Sequence, residues 1–275
     1  DDWRWYERAR AAKQYVYKGQ VAEPENKDRF GAFPAMRSFE AGGYCRLAYP
    51  LPDVSGVATC VIGNLLIRAF EDGLPAEPED IERLRRIGWW ISNSEFQPGV
   101  FRHHEDSDRD CQASNALGAG VLCRVYYFLK RMGEEVPAEW MDTVDRGIRH
   151  VLEGQEAVGV WPYLFATVGR GQAYGEGSIP DHGMLLVHLL LALEHGPYRE
   201  DPALLDALTR AARWYLCTSY VEPETGLVNL EYERSGAGEL GLSFSSFTWC
   251  RFTCAASLFR IAEISGEEQP WTNLA

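Results

Sequence analysis

Four stretches of the chain set apolar residues at helical spacing among abundant charges: Trp3 to Lys18, Pro78 to Ser92, Ala138 to Glu153 and Pro202 to Ser219. Each predicts an amphipathic helix with one face turned to a core. Alternating with them are four stretches that are more uniformly apolar and rich in small residues: Val54 to Phe70, Cys111 to Met132, His182 to Glu194 and Ser246 to Ile264. A helix that is apolar on most sides must be enclosed by others, so the charged set is predicted to lie outside and the apolar set inside. Capping residues stand at the predicted inner starts, namely Asp53, Asp110, Asp181 and Ser245 or Ser246, and Gly73, Gly133, Gly196 and Gly266 stand where C-terminal caps belong. Strand signals are few. The Gly-rich connections from Ala41 to Pro52 and from Val168 to Pro180 exceed ordinary helix links, and long loops in a compact domain tend to carry function.

A short turn of the form polar-x-x-x-Gly-x-aromatic/aliphatic recurs at Lys27 to Phe33, Glu95 to Phe101, Gln155 to Trp161 and Glu222 to Val228. Its glycines, Gly31, Gly99, Gly159 and Gly226, are 68, 60 and 67 residues apart, which is one helical hairpin plus its loops. Outer and inner helices alternating at this period predict an all-α fold, an α/α toroid. It would be one domain over 1–275, a ring of about four outer/inner hairpins with its long loops on the face holding the inner-helix N-termini. The segment Gln155-Glu156-Ala157-Val158-Gly159-Val160-Trp161 resembles the QxxxGxW repeat of squalene and oxidosqualene cyclases and, more broadly, the toroids of the terpenoid cyclase/prenyltransferase superfamily. In that family the motif ties helices together, so the resemblance implies architecture before chemistry. The family closes rings of five to seven hairpins, which implies an open ring here or a fragment of a longer chain.

Composition narrows the function. With 275 residues, 46% apolar and 24% charged, the chain has enough material for one large core. Lys+Arg 27 against Asp+Glu 40 gives a net charge of −13, which argues against nucleic acid and makes any polyanionic substrate depend on a local basic pocket. The longest apolar helical run, Met184 to Leu193, is interrupted by His188 and is about half of the ~20 residues a bilayer span needs, so no membrane span is expected. Seven cysteines, an odd number without a CxxC pair, read as reduced, buried thiols. A cytoplasmic protein is therefore expected, although a secreted chain after signal cleavage would begin in the same way. The oligomeric state is not legible.

Any site of a toroid belongs at the mouth where inner-helix N-termini converge, because backbone N–H groups and helix dipoles there favour anions and ionised carboxylates. The catalytic candidates at that mouth are Asp108, Asp110, Glu176, Asp181 and His182. Substrate-binding candidates are Asp53, His103, His104, Trp161, Tyr163, Tyr174, Trp249 and Arg251. The densest polar run is Arg102 to Asp110, which reads either as carboxylates and imidazoles poised for acid–base work or as a solvated loop ahead of a capping Asp110. His182 is expected at the first helical position beside a capping Asp181, where the dipole favours a neutral imidazole. His188, His195 and His150 read as packing or surface residues, and Cys250 and Cys254 as core.

Three functions remain open. The first is a carbohydrate-active enzyme of hydrolase, lyase or epimerase type, with a mouth carboxylate as general acid, a second carboxylate or His182 as base, Arg251 orienting the substrate, and aromatic residues stacking on sugar rings. The second follows from the resemblance: Asp106-Ser107-Asp108-Arg109-Asp110 looks like a distorted form of the DxDD proton donor of terpene cyclases, which implies Asp108 or Asp110 as the donor and aromatic faces stabilising carbocations. The third is a non-catalytic module that binds a glycan or peptide. No metal and no cofactor is expected. A zinc site, which the lanthionine-forming and protein-prenylating toroids suggest through Asp181 and His182, would need Cys111, His103 or His104 as a further ligand, and no spacing rule supports one. There is no dinucleotide fingerprint, Walker loop or nucleophile elbow.

Overall fold

The computed structural model describes residues 2–26, 28–33, 54–103, 110–161, 177–218, 228–234, 240–245 and 248–266, with the backbone alone at 2, 177–182, 184, 196, 215–218, 228–234, 240–245 and 248–255. Among the described residues eight α-helices alternate as predicted, each within three residues of its expected bounds. The outer helices are α1 (Asp2–Tyr17), α3 (Pro78–Asn93), α5 (Glu139–Glu153) and α7 (Pro202–Thr218), and the inner ones are α2 (Gly56–Glu71), α4 (Gln112–Arg131), α6 (Ile179–Leu193) and α8 (Thr248–Ser265). Inner helices pack in sequence, α2 on α4, α4 on α6 and α6 on α8, while α3, α5 and α7 lie outside them. No helix among the described residues is long and apolar enough to cross a membrane.

Small residues set the spacing of this ring. α4 is buried from Gln112 to Val125, and a Cβ added to its Gly120 would lie 2.0 Å from the His188 carbonyl oxygen of α6. Gly118 and Gly147 face the ring of Phe101, and Gly88 faces the indole of Trp140. Between the layers lie Ile67, Leu84, Ile87, Ile91, Leu117, Leu122 and Ile148, each below 2% exposure, so the apolar periodicity has been spent on one continuous core. Cys60, Cys111 and Cys123 are buried, as the cysteine pattern led one to expect. At the C-terminal ends of the inner helices, Arg124 and Arg131 of α4 both bond Glu71 of α2, and Arg260 of α8 bonds Glu194 just beyond α6. Burial pushes the Glu71 carboxyl up, but its two arginines outweigh that and hold it below the ordinary range.

The recurring turn is what joins one hairpin to the next. Gly159 adopts φ +98°, and a Cβ there would lie 2.4 Å from the carbonyl oxygen of Arg210 on α7. Gly31 meets Arg86 of α3 and Gly99 meets Arg146 of α5 in the same way. Around Gly159 the QxxxGxW residues act as ties: Gln155 Nε2 donates to the carbonyls of Gly159 at 3.0 Å and Ala207 at 2.8 Å, and the buried indole of Trp161 donates to the Val151 carbonyl at 2.6 Å. In the first repeat Gln20 plays the part of Gln155, donating to the carbonyls of Gly31 and of Arg83, which precedes Arg86 by three residues as Ala207 precedes Arg210. The glutamine role has moved to another place in the sequence while its geometry has stayed.

Four sequence expectations change. Ser55, not Asp53, caps α2, its hydroxyl accepting from the Ala58 N–H at 3.2 Å; Asp53 lies outside the described residues. Asp110 is not a cap, since Cys111 takes the N-cap position of α4 and the Asp110 carboxylate turns elsewhere. α6 begins at Ile179, so Asp181 and His182 are its third and fourth residues and not its cap and first residue; the Pro180 ring, tolerated in a first turn, lets the helix start early. Gly196 opens a 3-10 turn (Gly196–Glu200), whereas Gly73, Gly133 and Gly266 end their helices in left-handed conformation as expected.

The strands also exceed expectation. A two-residue-turn hairpin pairs β1 (Glu95–Gln97) with β2 (Val100–Phe101), and β3 (Gly177–Ser178), β4 (Val228–Arg234) and β5 (Leu240–Ser245) form an antiparallel sheet in that order, with a register shift between Asn229 and Glu231. The period-2 signal was present in Val-Asn-Leu-Glu-Tyr and Leu-Gly-Leu-Ser-Phe. β3 runs straight into α6, and β5 ends just before α8, which puts this sheet at the mouth formed by the inner-helix N-termini.

α1 is anchored by a buried ionic cluster. Asp80, in the first turn of α3, accepts from Lys13 Nζ at 2.7 Å, from the Tyr17 hydroxyl and from the Glu77 backbone N–H at 2.8 Å. Burial would raise the Asp80 carboxyl, but these donors overcome it and hold it below the ordinary range. Because the folded value is depressed, its stabilisation is present above the unfolded carboxylate value of about 4 and is lost as pH falls through the folded one. Asp80→Asn should cost about 3 kcal/mol at pH 7 in denaturant melts, with the gap to the parent closing below about pH 4. Gly159→Ala should lower stability by about 2 kcal/mol or more in the same assay, since it meets both the left-handed φ and the Arg210 carbonyl.

Candidate active site

The described part of the mouth is assembled on the first turn of α4. β2 hands the chain to this turn, α5 ends beside it, and α2 begins next to it. The Gly56 N–H at the start of α2 donates to the His103 carbonyl at 2.9 Å, and a Cβ at Gly56 would lie 2.1 Å from the Arg102 carbonyl oxygen. The starts of α2 and α4 are thus joined through one peptide strand.

Asp110 and His103 come together here. The Asp110 carboxylate accepts from Asn115 Nδ2 at 2.6 Å through Oδ1 and faces His150 Nε2 at 2.8 Å through Oδ2. An ionised carboxylate only accepts, so in this pair the His150 Nε2 carries the proton. His103 Nδ1 lies 2.6 Å from the hydroxyl of Ser114, the residue before Asn115. Ser114 and Asn115 are 4% and 0% exposed, whereas the Asp110 and His150 side chains keep 36% and 27% of their surface. A buried amide, Asn115, therefore holds a carboxylate that still reaches solvent, and the carboxylate in turn meets His150. His150 owes its place to the neighbouring turn: a Cβ at Gly99 would lie 2.5 Å from the His150 Cβ, so the glycine that docks on α5 also leaves room for the imidazole.

The other expected residues are distributed as follows. Trp161 is 1% exposed and serves as the tie described above, so it presents no face to a sugar. Asp181 and His182 lie in the opening turns of α6, Trp249 and Arg251 in the first turn of α8. Counted from the start of each inner helix, Thr59, Asn115, His182 and Arg251 all take the fourth position. Asp53, His104, Asp108, Tyr163, Tyr174 and Glu176 lie outside the described residues, as does Asp106 of the DxDD-like run. Among the described residues no three His, Cys, Asp or Glu side chains are grouped to hold a metal ion.

No protein-family model matches the chain, and no curated protein does. Solved structures do. The crystal structure of an unsaturated glucuronyl hydrolase specific for heparin matches 94% of this chain and 63% of its own at a TM-score of 0.56 and 13% identity. A glycoside hydrolase of family 105 from C. acetobutylicum matches 92% of this chain and 69% of its own, again at 0.56 and 13%. The chain is an α/α toroid. It spans about two thirds of the length of each of these enzymes, and at this identity the likeness is one of fold. The toroids it matches are glycoside hydrolases, while the QxxxGxW segment is accounted for by its ties to α5 and α7.

Sequence reasoning passed over three residues of this site. His150 sits 40 positions beyond Asp110 on an outer helix, with no spacing rule to link them. Ser114 and Asn115 lie within an otherwise apolar helix, and buried polar residues of that kind are the signal that would have drawn attention to them.

Proposed function

We propose that this toroid is a carbohydrate-active enzyme that works by acid–base chemistry, with Asp110 as the proton-transferring carboxylate and His150 as its proton partner. One observation carries this reading: at the mouth of a fold it shares with glycoside hydrolases, a half-exposed carboxylate is held by a buried amide on one oxygen and by an imidazole on the other. Held as an ionised carboxylate by the Asn115 and His150 donors, Asp110 would take the proton of an attacking water or a sugar hydroxyl, and a second acid–base group would supply the proton to the leaving glycosidic oxygen or to a sugar double bond. Asp108, Glu176, Asp181 and His182 are the remaining candidates for the second acid–base group, on chain positions that lead into the same mouth. His103, His104, Asp53, Tyr163, Tyr174, Trp249 and Arg251 are candidates for binding the sugar.

The substrate class we propose is an oligosaccharide with one terminal uronyl group, by analogy with the neighbour described as acting on unsaturated glucuronyl ends. A chain of net charge −13 suits a single acidic sugar in a mouth better than a polyanion laid along its surface. The terpenoid cyclase reading has no observation in its favour beyond the motif that ties the fold.

The test uses unsaturated uronyl disaccharides prepared from heparin, neutral oligosaccharides and prenyl diphosphates as separate arms. Loss of the double-bond absorbance with the first, and product analysis for cleavage, elimination or epimerisation with the second, would identify the reaction. Asp110→Asn should lower kcat/KM by about 100-fold or more with an unchanged melting temperature, and His150→Gln should lower it by a smaller factor. Binding without turnover would make the mouth a glycan-recognition module, and turnover of the prenyl diphosphates alone would overturn the carbohydrate reading.

A further inference from the structure

The first two repeats solve the same structural problem with different residues, and the difference falls on the candidate site. In the first, the backbone N–H of the turn aromatic Phe33 donates to Thr59 Oγ1 at 2.9 Å. In the second, the N–H of the equivalent Phe101 donates to Asn115 Oδ1, also at 2.9 Å. Thr59 and Asn115 are both the fourth residue of their inner helix, so in both repeats this position satisfies a buried backbone donor of the turn. Thr59 completes the task locally, its hydroxyl donating to the Ser55 carbonyl at 2.8 Å. Asn115 has a second group to place. A backbone N–H can only donate, so it claims the amide oxygen, and the amide nitrogen is then directed at an acceptor: the Asp110 carboxylate, at 2.6 Å.

We infer that Asn115 is a positioning residue for the Asp110–His150 pair, which it fixes to the backbone of β2 by a position that in the neighbouring repeat serves the fold alone. Three hydrogen bonds in series, Phe101 N–H to Asn115, Asn115 to Asp110, and His150 to Asp110, run from β2 across α4 to α5. With Oδ1 occupied by the amide, the carboxylate is held in the one rotation that presents Oδ2 to His150. A threonine would keep the first bond and lose the second. The catalytic weight of this arrangement rests on the acid–base function proposed above, but the orientation itself does not.

The experiment follows from the repeat. Asn115→Thr carries into the second repeat what the first already uses, and Asn115→Asp keeps the shape and the acceptor for Phe101 while turning a second oxygen on Asp110. The 15N shifts of the His150 ring, assigned with His150→Gln, report which nitrogen holds the proton. In the parent they should show Nε2 protonated; in Asn115→Thr and Asn115→Asp that single-tautomer signature should give way to a mixture, as it should in Asp110→Asn. With a substrate from the screen above, Asn115→Thr should lose about tenfold or more in kcat while KM stays within about threefold. If both Asn115 variants keep the parent His150 signature while Asp110→Asn alters it, the positioning role is overturned and the pair stands. If Asp110→Asn leaves it unaltered too, the pair falls with it. A parent that turns over no sugar, yet whose His150 signature follows Asn115, would sink the proposed function and uphold the positioning.

Discussion

A glycine pressed against a backbone carbonyl governs how each hairpin of this chain meets the next. Gly31, Gly99 and Gly159 take left-handed φ, and each stands where a Cβ would come within 2.6 Å of the carbonyl oxygen of an arginine on the following outer helix. Contact at that range is available only to a residue without a side chain, so the repeat cannot drift in register without losing it. What surrounds the glycine can vary: Gln155 ties the third turn, Gln20 the first, and at the second Glu95 accepts from the Gly99 N–H while pairing with Arg146.

The same constraint shapes the mouth. Because Gly99 sits on α5 without a side chain, His150 can lie over it and reach Asp110. Because β2 emerges from that turn in a set position, the Phe101 N–H falls beside the first turn of α4 and must be satisfied there. Ser114, Asn115 and His150 thus stand where the repeat geometry puts them, on α4 and α5. This explains how half-exposed groups are held by fully buried ones: the buried residues belong to the ring, and the titratable groups are attached to it.

Stability is distributed differently at the two ends of the inner helices. The N-terminal ends carry neutral ties and partly exposed groups. Much of the described ion pairing lies elsewhere, with Glu71 between Arg124 and Arg131, Glu194 beside Arg260, and Asp80 gripping α1. The Lys13–Asp80 pair is buried on both sides and penalises any arrangement that separates its charges, whereas the Arg131–Glu71 and Arg260–Glu194 pairs are largely exposed and contribute little.

The order of helices, their inner or outer place, and the turns that join them were written in the sequence, because apolar periodicity encodes how much of each helix is buried and a glycine four residues after a polar one encodes a turn. The alternating residues of β4 and β5 carried a strand signal too, but strands were expected to be few and the added sheet was passed over. Periodicity does not encode which helix a buried face meets. Asp110 therefore read as a cap until the fold placed His150, 40 residues away, against it. Asn115, a polar residue in an apolar helix, was passed over until the turn of β2 supplied an N–H for it to hold, and Trp161 read as a substrate-binding residue at the mouth until the fold buried it against α5. Each of these assignments depends on groups brought together by the packing of separate elements, and only the tertiary structure determines which groups those are.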